Sequence, residues 1–325
     1  MKKNVINIFR FTCIFVLLLT LENIVVYYKK NKQFFFCQNC MNDKNISSQC
    51  FKCKPDLLFK SLKYISREET MNELIYNKKS ITRVGDGEFN IMFGLNTAFQ
   101  QYNKTLKDKL LKVLKSNIPN LLVGLMKLNG YSKRANNVVK YIEKYKFQIA
   151  KIINKNKIYY YHGITRFYTQ LSNRTEIRNH IAQFKKIWDK RNILIIEGEK
   201  TRLGIGNDLF NNAKNIQRII CPAENAFNIY DKLLHFLKNL KLDKDTLILI
   251  SLGPTATPLI YDIVGFGNQA IDFGHFDIQY ELYLRNATRV IKLPNKYVNE
   301  APGGRINITP VNDEKYFQQI ICKIY

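Results

Sequence analysis

Two acidic residues flank a single glycine in the turn RVGDGEF, which follows a short apolar run. Such a turn can aim the carboxylates of Asp86 and Glu88 at one cation, and Mn²⁺ or Mg²⁺ prefers oxygen ligands of this kind. A cation held there could bridge the protein to two phosphate groups. The alternative is that Asp86 caps a helix and Glu88 complements the helix dipole. Spacing alone favours the capping interpretation and keeps the metal site open as the second one.

A glycine-rich segment at residues 197–208 carries groups that suit phosphate. It has neither the full GxGxxG pattern nor the GK[ST] ending of a P-loop. Its cationic side chains and backbone amides could still meet phosphate oxygens at the start of a helix. The residues predicted to do so are Lys200, Arg202, Gly204, Gly206 and Asn207. The alternative is a surface turn with solvated charges.

A glycine-proline turn at residues 251–257, SLGPTAT, is a second predicted anion-binding segment. It runs from a strand into a helix whose first amides are free to hold an anion. Gly253 and Thr255 are the predicted contacts, although Thr255 could instead cap the helix.

A histidine stands between two acids in DFGHFD, residues 272–277. A general base that deprotonates an acceptor hydroxyl is expected among His275, Asp277 and Glu300, the last of these in a turn-rich loop, residues 296–305. That loop is predicted to form a lid or rim over a site. A structural role for the histidine is the alternative.

Short β-branched runs alternate with longer stretches of helical period from about residue 61 onward, which predicts an α/β fold with a mostly parallel sheet and helices on both faces. The predicted strands are Ser80–Val84, Leu121–Leu125, Ile193–Ile196, Ile216–Ile220, Leu247–Leu252 and Gln269–Phe273. The predicted helices are Tyr102–Ser116, Arg134–Ile153, Ile177–Asp189, Asn225–Leu240 and Pro254–Val264. Open sheets of this type bind ligands beyond the carboxyl ends of their strands, where the residues named above lie.

The N-terminus is apolar from Ile6 to Tyr28, interrupted by Arg10 and Glu22. This length reaches the ~20 residues that a helix needs to cross ~30 Å of hydrocarbon. A membrane anchor is therefore expected, and a cleaved signal peptide is the alternative. The predicted organisation is a tail and transmembrane signal-anchor over residues 1–30, a stem over 31–60 and a catalytic domain over 61–325. A single-pass protein of the Golgi or endoplasmic reticulum with a lumenal catalytic domain is the expected location.

Four cysteines in the predicted stem form two CxxC pairs, Cys37–Cys40 and Cys50–Cys53. They could bind zinc in a reducing compartment or form disulfides in an oxidising one. The chain has a net charge of +25, but the lysines are spread along it rather than gathered into one block. No nucleic-acid partner is therefore expected, and a membrane-tethered protein that binds zinc and nucleic acid is the alternative from another functional class.

Six segments occur in the order expected of one family. RVGDGEF, EGEKTRLGIGNDLF, CPAENAF, LGPTATPLIYD, QAIDFGHFDIQYE and KYVNEAPGGR resemble glycosyltransferases of the GT-D fold, over about residues 65–325. The resemblance implies a Rossmann-like domain, a UDP-sugar donor, a glycan or glycoconjugate acceptor and a metal-binding DxE motif. Asp86 and Glu88 match that motif, so the resemblance favours the metal site over the cap. A domain that binds a nucleotide-sugar without turnover is the remaining alternative.

Overall fold

The computed structural model describes residues 54–130, 136–171 and 173–325. The chain divides into two compact units, Met1–Leu58 and Phe59–Tyr325, and the second of these carries the fold described below. The predicted anchor and the four cysteines of the predicted stem lie outside the described residues. Within the described ranges, none of the helices combines the length and the apolar character needed to cross a membrane.

A parallel sheet forms the centre of the second unit. Its strands within the described ranges are β1 (Lys63–Tyr64), β2 (Ser80–Val84), β3 (Leu121–Leu125), β4 (Ile158–Tyr161), β5 (Asn192–Gly198), β6 (Asn215–Cys221), β7 (Leu247–Ser251), β8 (Ala270–Asp272) and β9 (Ile320–Lys323). Their spatial order is β1-β4-β3-β2-β8-β7-β5-β6-β9, and each neighbouring pair is parallel. The prediction of an α/β fold with a mostly parallel sheet is confirmed.

The helices are α1 (Pro55–Ser61), α2 (Arg67–Ile75), α3 (Asp86–Met92), α4 (Lys104–Lys115), α5 (Asn136–Ile152), α6 (Phe167–Gln170), α7 (Arg174–Ile187), α8 (Tyr230–Asn239), α9 (Ala256–Val264), α10 (Phe276–Leu284) and α11 (Glu314–Gln319). Short 3₁₀ turns occupy His162–Thr165, Ala226–Ile229 and Gly253–Thr255. β2 and β3 are buried at all five of their positions, which shows that both faces of the sheet are covered there. α2 and α7 contact each other, while α9 contacts β2, β8 and α4.

Apolar side chains in register across five strands fix the sheet. Leu122, Ile81, Ile271, Leu249 and Ile195 pair in turn from β3 through β2, β8 and β7 to β5, and all belong to one buried cluster. Because side chains alternate between faces along a strand, a slip of one residue would move the whole row to the opposite face. This row therefore fixes the register of the five strands, and with it the positions of the strand ends that carry the site.

The turn after β5 is held by a buried ion pair between adjacent strands. Arg218 Nη1 lies 2.6 Å from Glu197 Oε1, and both side chains are almost completely buried. Arg218 also donates to the carbonyl of Leu203 (2.9 Å), and Glu197 accepts from the amide of Leu203 (2.7 Å). These contacts fix the path of the glycine-rich segment where it leaves the sheet.

A second buried ionic cluster joins that segment to α10 and to the 296–305 loop. Lys296 Nζ lies 2.6 Å from Asp277 Oδ2 and 3.1 Å from Glu281 Oε1, in a site where all three side chains are buried. Asp277 also accepts from the amide of Gly204 (3.0 Å) and from Asn207 Nδ2 (2.9 Å). Asp277 thus ties three chain segments together.

Replacing Lys296 by Met should destabilise the fold strongly, because it leaves the buried carboxylate of Asp277 without a cation. Glu281 keeps its second partner, Arg285, at 3.0 Å. Loss of one partner of a buried pair costs about 3–5 kcal/mol. The measurement is the free energy of unfolding in denaturant, for Lys296→Met beside the exposed control Lys78→Met, whose pair with Asp245 is open to solvent. The double variant Lys296→Met/Asp277→Asn should recover part of the loss. An unchanged unfolding midpoint for Lys296→Met would contradict this account of the cluster.

Candidate active site

A cleft of about 460 Å³ opens at the carboxyl edge of the sheet. It lies at the point where the strand order in the sheet reverses. From β2 the chain continues to β3 and β4 on one side, and β8 and β7 lie on the other side. Residues that follow six of the strands line it, together with two loops: Arg83, Gly85–Glu88, Asn90, Asn96–Gln100, His162, Arg166, Gly198, Thr201, Leu203, Pro222, Ala223, Ala226, Ser251–Pro254, Asp272, Gly274, His275, Ile278, Tyr297 and Asn299–Glu300.

The two acids of the DxE motif stand at the start of α3 and both line this cleft. The side chain of Asp86 is exposed, whereas that of Glu88 is half-buried. Glu88 Oε2 accepts a hydrogen bond from the amide of Gly85 (2.8 Å), so Glu88 caps the helix while facing the cleft. One amide uses only part of the accepting capacity of a carboxylate. The capping interpretation was therefore wrong about the residue, because Glu88 rather than Asp86 makes the capping bond. This bond leaves Glu88 able to bind a ligand as well.

Glu88 lies in an environment that disfavours its charge. Burial raises its pKa to about 7, the carboxylate of Asp272 acts in the same direction, and the hydrogen bond from Gly85 opposes them. A nearby cation would favour the ionised form. Glu88 is thus an acid whose charge near neutral pH depends on what occupies the cleft.

A buried ion pair forms the floor of the cleft between β2 and β8. Arg83 Nη2 lies 2.8 Å from Asp272 Oδ1, and each side chain is less than a tenth exposed. Gly274, whose φ is +45°, passes so close to the guanidinium that any side chain at that position would overlap it. Ser251 holds this turn by donating from its hydroxyl to the carbonyl of Gly274 (3.0 Å).

His162 follows β4 and lies against the DxE turn. A Cβ atom at Gly85 would stand 2.9 Å from its Nε2, so the turn approaches the imidazole as closely as a glycine allows. Burial, together with the charges of Arg83 and Arg166, holds the pKa of His162 well below its ordinary value. The ring is therefore neutral. In the sequence, the only sign of this position is the aromatic run Tyr159–Tyr161 directly before the histidine.

Tyr141 on α5 contacts the other side of the DxE turn. Its hydroxyl lies 3.2 Å from the carbonyl of Asp86 and 2.9 Å from Asn90 Oδ1. Burial raises the pKa of Tyr141, and the charge of Asp86 adds to the effect. It holds the first turn of α3 in place, and helical periodicity alone gave no signal for this role.

Four polar side chains form one wall of the cleft. Arg166 makes two hydrogen bonds to Glu300, at 3.2 and 2.5 Å, and its Nη2 lies 3.4 Å from His275 Nδ1. His275 Nε2 lies 3.0 Å from Asn299 Oδ1. Burial and the nearby Arg166 lower the pKa of His275 to about 4, so its ring is neutral at physiological pH.

The structure brings some of the predicted site residues to the cleft. Asp86, Glu88, Gly253, His275 and Glu300 all line it. The φ of Gly253 is +55°, and a side chain at this position would overlap the ring of Phe99. A glycine is thus required there by both backbone conformation and close packing.

The remaining predicted residues lie outside the cleft. Asp277 is fully buried in the ionic cluster, and Thr255 is buried with its hydroxyl 3.4 Å from Gln100 Oε1. Arg202 donates to the carbonyls of Asn295 and Thr309, both at 2.7 Å. Lys200, Gly204, Gly206 and Asn207 do not line the cleft either. Of the glycine-rich segment, only Gly198, Thr201 and Leu203 line it.

A protein-family model described as Glycosyltransferase GT-D fold matches residues 81–301, which include the DxE turn and the wall residues. The chain belongs to this family. The GT-D membership and the transferase class predicted from the sequence motifs are therefore confirmed. Solved structures agree: a chain described as a new glycosyltransferase from Streptococcus sanguinis is 30% identical, with a TM-score of 0.75 over 81% of this chain and 100% of that one.

A second solved structure, of domain of unknown function 1792, is described as having a distinct glycosyltransferase fold. It is 32% identical, with a TM-score of 0.76 over 84% of this chain and 99% of that one. Two curated relatives are longer. A probable glycosyl transferase Gly of Streptococcus gordonii is 32% identical over 82% of this chain and 39% of its own length. Glycosyltransferase GlyD of Streptococcus pneumoniae is 30% identical over 79% of this chain and 32% of its own length. This GT-D chain thus spans well under half of either curated relative.

The desolvated carboxyl of Glu88 predicts a pH dependence of stability in metal-free buffer. Its pKa is raised above the unfolded value of about 4.5, so between pH 4.5 and 7 the folded state binds more protons and loses stability as pH rises. Glu88→Gln cannot titrate. From pH 5 to 8, the stability of the wild type relative to Glu88→Gln should fall by roughly 1–3 kcal/mol.

The free energy of unfolding in denaturant at four pH values measures this difference. Asp108→Asn, an exposed acid paired with Lys104 on α4, controls for removal of a negative charge and should show a smaller pH-dependent difference. A wild type and a Glu88→Gln variant with parallel pH profiles would show that Glu88 ionises as freely as a solvated acid.

Proposed function

We propose that this GT-D protein transfers a hexose-type sugar from a UDP-sugar to a hydroxyl of a glycan or glycoconjugate, with Mn²⁺ or Mg²⁺ held by Asp86 and Glu88. The observation that supports the proposal is that both acids line a single cleft at the strand ends. The cleft volume of about 460 Å³ falls within the ~300–1,000 Å³ of ordinary ligand pockets.

The donor set fits a cation that is shared with a substrate. Asp86 offers an exposed carboxylate, and Glu88 offers accepting capacity beyond its bond to Gly85. No group of three or more His, Cys, Asp or Glu suited to a metal occurs in the described parts of the chain. The other coordination positions would come from phosphate oxygens and water, as is usual for Mg²⁺. The bound metal would supply charge neutralisation for the departing diphosphate.

Glycines let the backbone approach the diphosphate beside these acids. Gly87 and Gly253 both line the cleft, and Gly87 lies against Pro254. Backbone amides at such positions can donate to phosphate oxygens without interference from side chains. Of the residues first predicted to contact phosphate, Gly253 is the one we retain. Lys200 and Arg202 do not line the cleft, and Arg202 donates instead to the carbonyls of Asn295 and Thr309.

The base that activates the acceptor hydroxyl belongs among residues of the cleft wall. His275 is neutral. Burial acts to raise the pKa of Glu300, but the hydrogen bonds and the charge of Arg166 lower it by more, so Glu300 is ionised. Both reach the cleft, whereas Asp277 does not. We therefore assign the role to His275 or Glu300.

The double variant Asp86→Ala/Glu88→Ala should lose metal-stimulated turnover. A bound metal contributes several kcal/mol to a reaction of this kind, so release of UDP from a UDP-sugar should fall at least about 100-fold. The assay screens UDP-sugars with the full-length protein, with and without Mn²⁺, and measures both hydrolysis and transfer.

The matched control is Asp108→Ala/Glu143→Ala, which removes two acids from surface ion pairs on other helices. Its turnover and unfolding midpoint should match those of the wild type. Undiminished turnover in the DxE double variant would refute the metal assignment. A wild type that binds UDP-sugars without hydrolysis or transfer would instead support a non-catalytic binding domain.

We also propose that residues 6–28 anchor the protein in the membrane of the endoplasmic reticulum or Golgi, with the transferase domain in the lumen. The apolar run and its basic flanks support this location. A translocated domain would carry glycans at some of its N-x-S/T sequences, such as Asn173-Arg-Thr and Asn286-Ala-Thr. Glycosidase treatment of the cell-expressed protein should increase its gel mobility. An unchanged mobility together with protease sensitivity from the cytosolic side would contradict the lumenal orientation.

A further inference from the structure

Arg166 is the central residue of the cleft wall, although no motif in the sequence marked it as functional. It follows the 3₁₀ turn after β4, and its guanidinium binds both oxygens of Glu300. The two side chains are each about three-tenths exposed, at 28% and 32%, and both line the cleft. A bidentate pair of this type is strong and geometrically specific. It is thus a rigid polar surface that faces the ligand space.

The pair retains hydrogen-bonding capacity beyond its own two bonds. A guanidinium carries five donors and a carboxylate about four accepting positions, so each partner can serve a ligand as well. A sugar hydroxyl both donates and accepts. Two neighbouring hydroxyls of a hexose therefore complement an adjacent carboxylate and guanidinium, one donating to Glu300 and the other accepting from Arg166.

His275 and Asn299 extend the same surface in a fixed orientation. Because Arg166 can only donate, the 3.4 Å approach to His275 Nδ1 makes that nitrogen the acceptor. The proton of the neutral ring then lies on Nε2, which donates to Asn299 Oδ1 (3.0 Å). The amide nitrogen of Asn299 adds two donors at the cleft wall.

This wall lies close to the DxE turn. Arg166 is near enough to His162 to lower its pKa, and His162 packs against Gly85. The chain of contacts from Glu88 through Gly85 and His162 to Arg166 runs along one side of the cleft. A group attached to a diphosphate at Asp86 and Glu88 would thus be presented to the Arg166 wall.

We infer that Arg166, Glu300 and Asn299 form the subsite for the hexose ring of the donor, with Glu300 accepting from a ring hydroxyl and Arg166 acting as a positioning residue for Glu300. Of the two candidates for the base, this leaves His275, through its unprotonated Nδ1. This inference rests on the proposed function, because it takes the donor to be a UDP-sugar. It assigns recognition of the sugar to this wall and recognition of the diphosphate to the DxE side.

The test compares the affinity of full-length protein for UDP with its affinity for UDP-glucose, UDP-galactose and UDP-N-acetylglucosamine, by calorimetry in Mn²⁺. The variants are Glu300→Gln, Arg166→Gln and Arg166→Lys. Glu176→Gln is the matched control, because it breaks an Arg–Glu pair with Arg67 outside the cleft. Thermal unfolding shows whether each variant remains folded.

Glu300→Gln should weaken binding of the preferred UDP-sugar about 10-fold, as expected for loss of a charge-assisted hydrogen bond, and should leave UDP within about twofold. Arg166→Gln should do the same, and Arg166→Lys should restore part of the affinity because it keeps the charge without the fork. Glu176→Gln should change neither affinity.

An unchanged ratio of UDP-sugar to UDP affinity in Glu300→Gln, for all three sugars, would overturn the subsite and leave the proposed function standing. Equal weakening of UDP and UDP-sugar would also overturn it, because the wall would then serve the nucleotide. A wild type that binds neither UDP nor any of the three UDP-sugars would overturn the proposed function and this inference together.

Discussion

The buried pair between Arg83 and Asp272 is the contact on which the cleft depends. It joins β2 to β8 at the place where the chain changes direction across the sheet, and the cleft opens above it. The hydroxyl of Thr257 at the start of α9 donates to the carbonyl of Arg83 (3.0 Å), so the pair is held from the helix side as well. A buried ion pair contributes little net stability, but removal of one partner leaves an uncompensated charge. The pair therefore constrains geometry more than it strengthens the fold.

Two further buried ionic clusters decide where the glycine-rich segment runs. Glu197 and Arg218 hold its beginning, and Asp277 with Lys296 holds its middle. With these anchors, the segment contacts α10 and the 296–305 loop rather than filling the cleft. Its glycines serve tight packing, as where a side chain at Gly204 would overlap the ring of Phe210. The segment resembles a phosphate-binding loop in sequence because tight turns of either kind need glycines, which adopt positive φ and leave room for close packing.

Local pattern predicted the central strands and failed at the edges of the sheet. The predicted bounds of Ser80–Val84 and Leu121–Leu125 match β2 and β3, since each is a continuous apolar run between polar turns. β1, β4 and β9, at or next to the edges of the sheet, were missed. β1 has only two residues, and β4 and β9 are partly exposed, so none of them gives a clear periodic signal. α10 was missed because it is buried nearly all round, and no amphipathic stripe marks it.

The candidate site was predictable only where its residues are neighbours along the chain. Asp86 and Glu88 lie in one turn, and the sequence therefore indicated them. His162 and Arg166 come from the turn after β4, and Tyr141 comes from α5. Only the tertiary fold brings these two elements to the DxE turn. Residues that face one another across a sheet edge have no fixed spacing in sequence. One sequence by itself therefore does not show which of them lie together.

Glu88 both caps α3 and lines the cleft, so the order of this helix depends on the charge of one side chain in the cleft. The same carboxylate that accepts from the amide of Gly85 faces the ligand space, so protonation of Glu88 would also weaken the hydrogen bond that caps α3. A change in the charge of Glu88 would thus act on the backbone at the start of α3 through a single hydrogen bond. A cation that keeps Glu88 ionised would therefore also preserve the capping hydrogen bond of α3, so occupation of the cleft and order at the start of this helix are coupled.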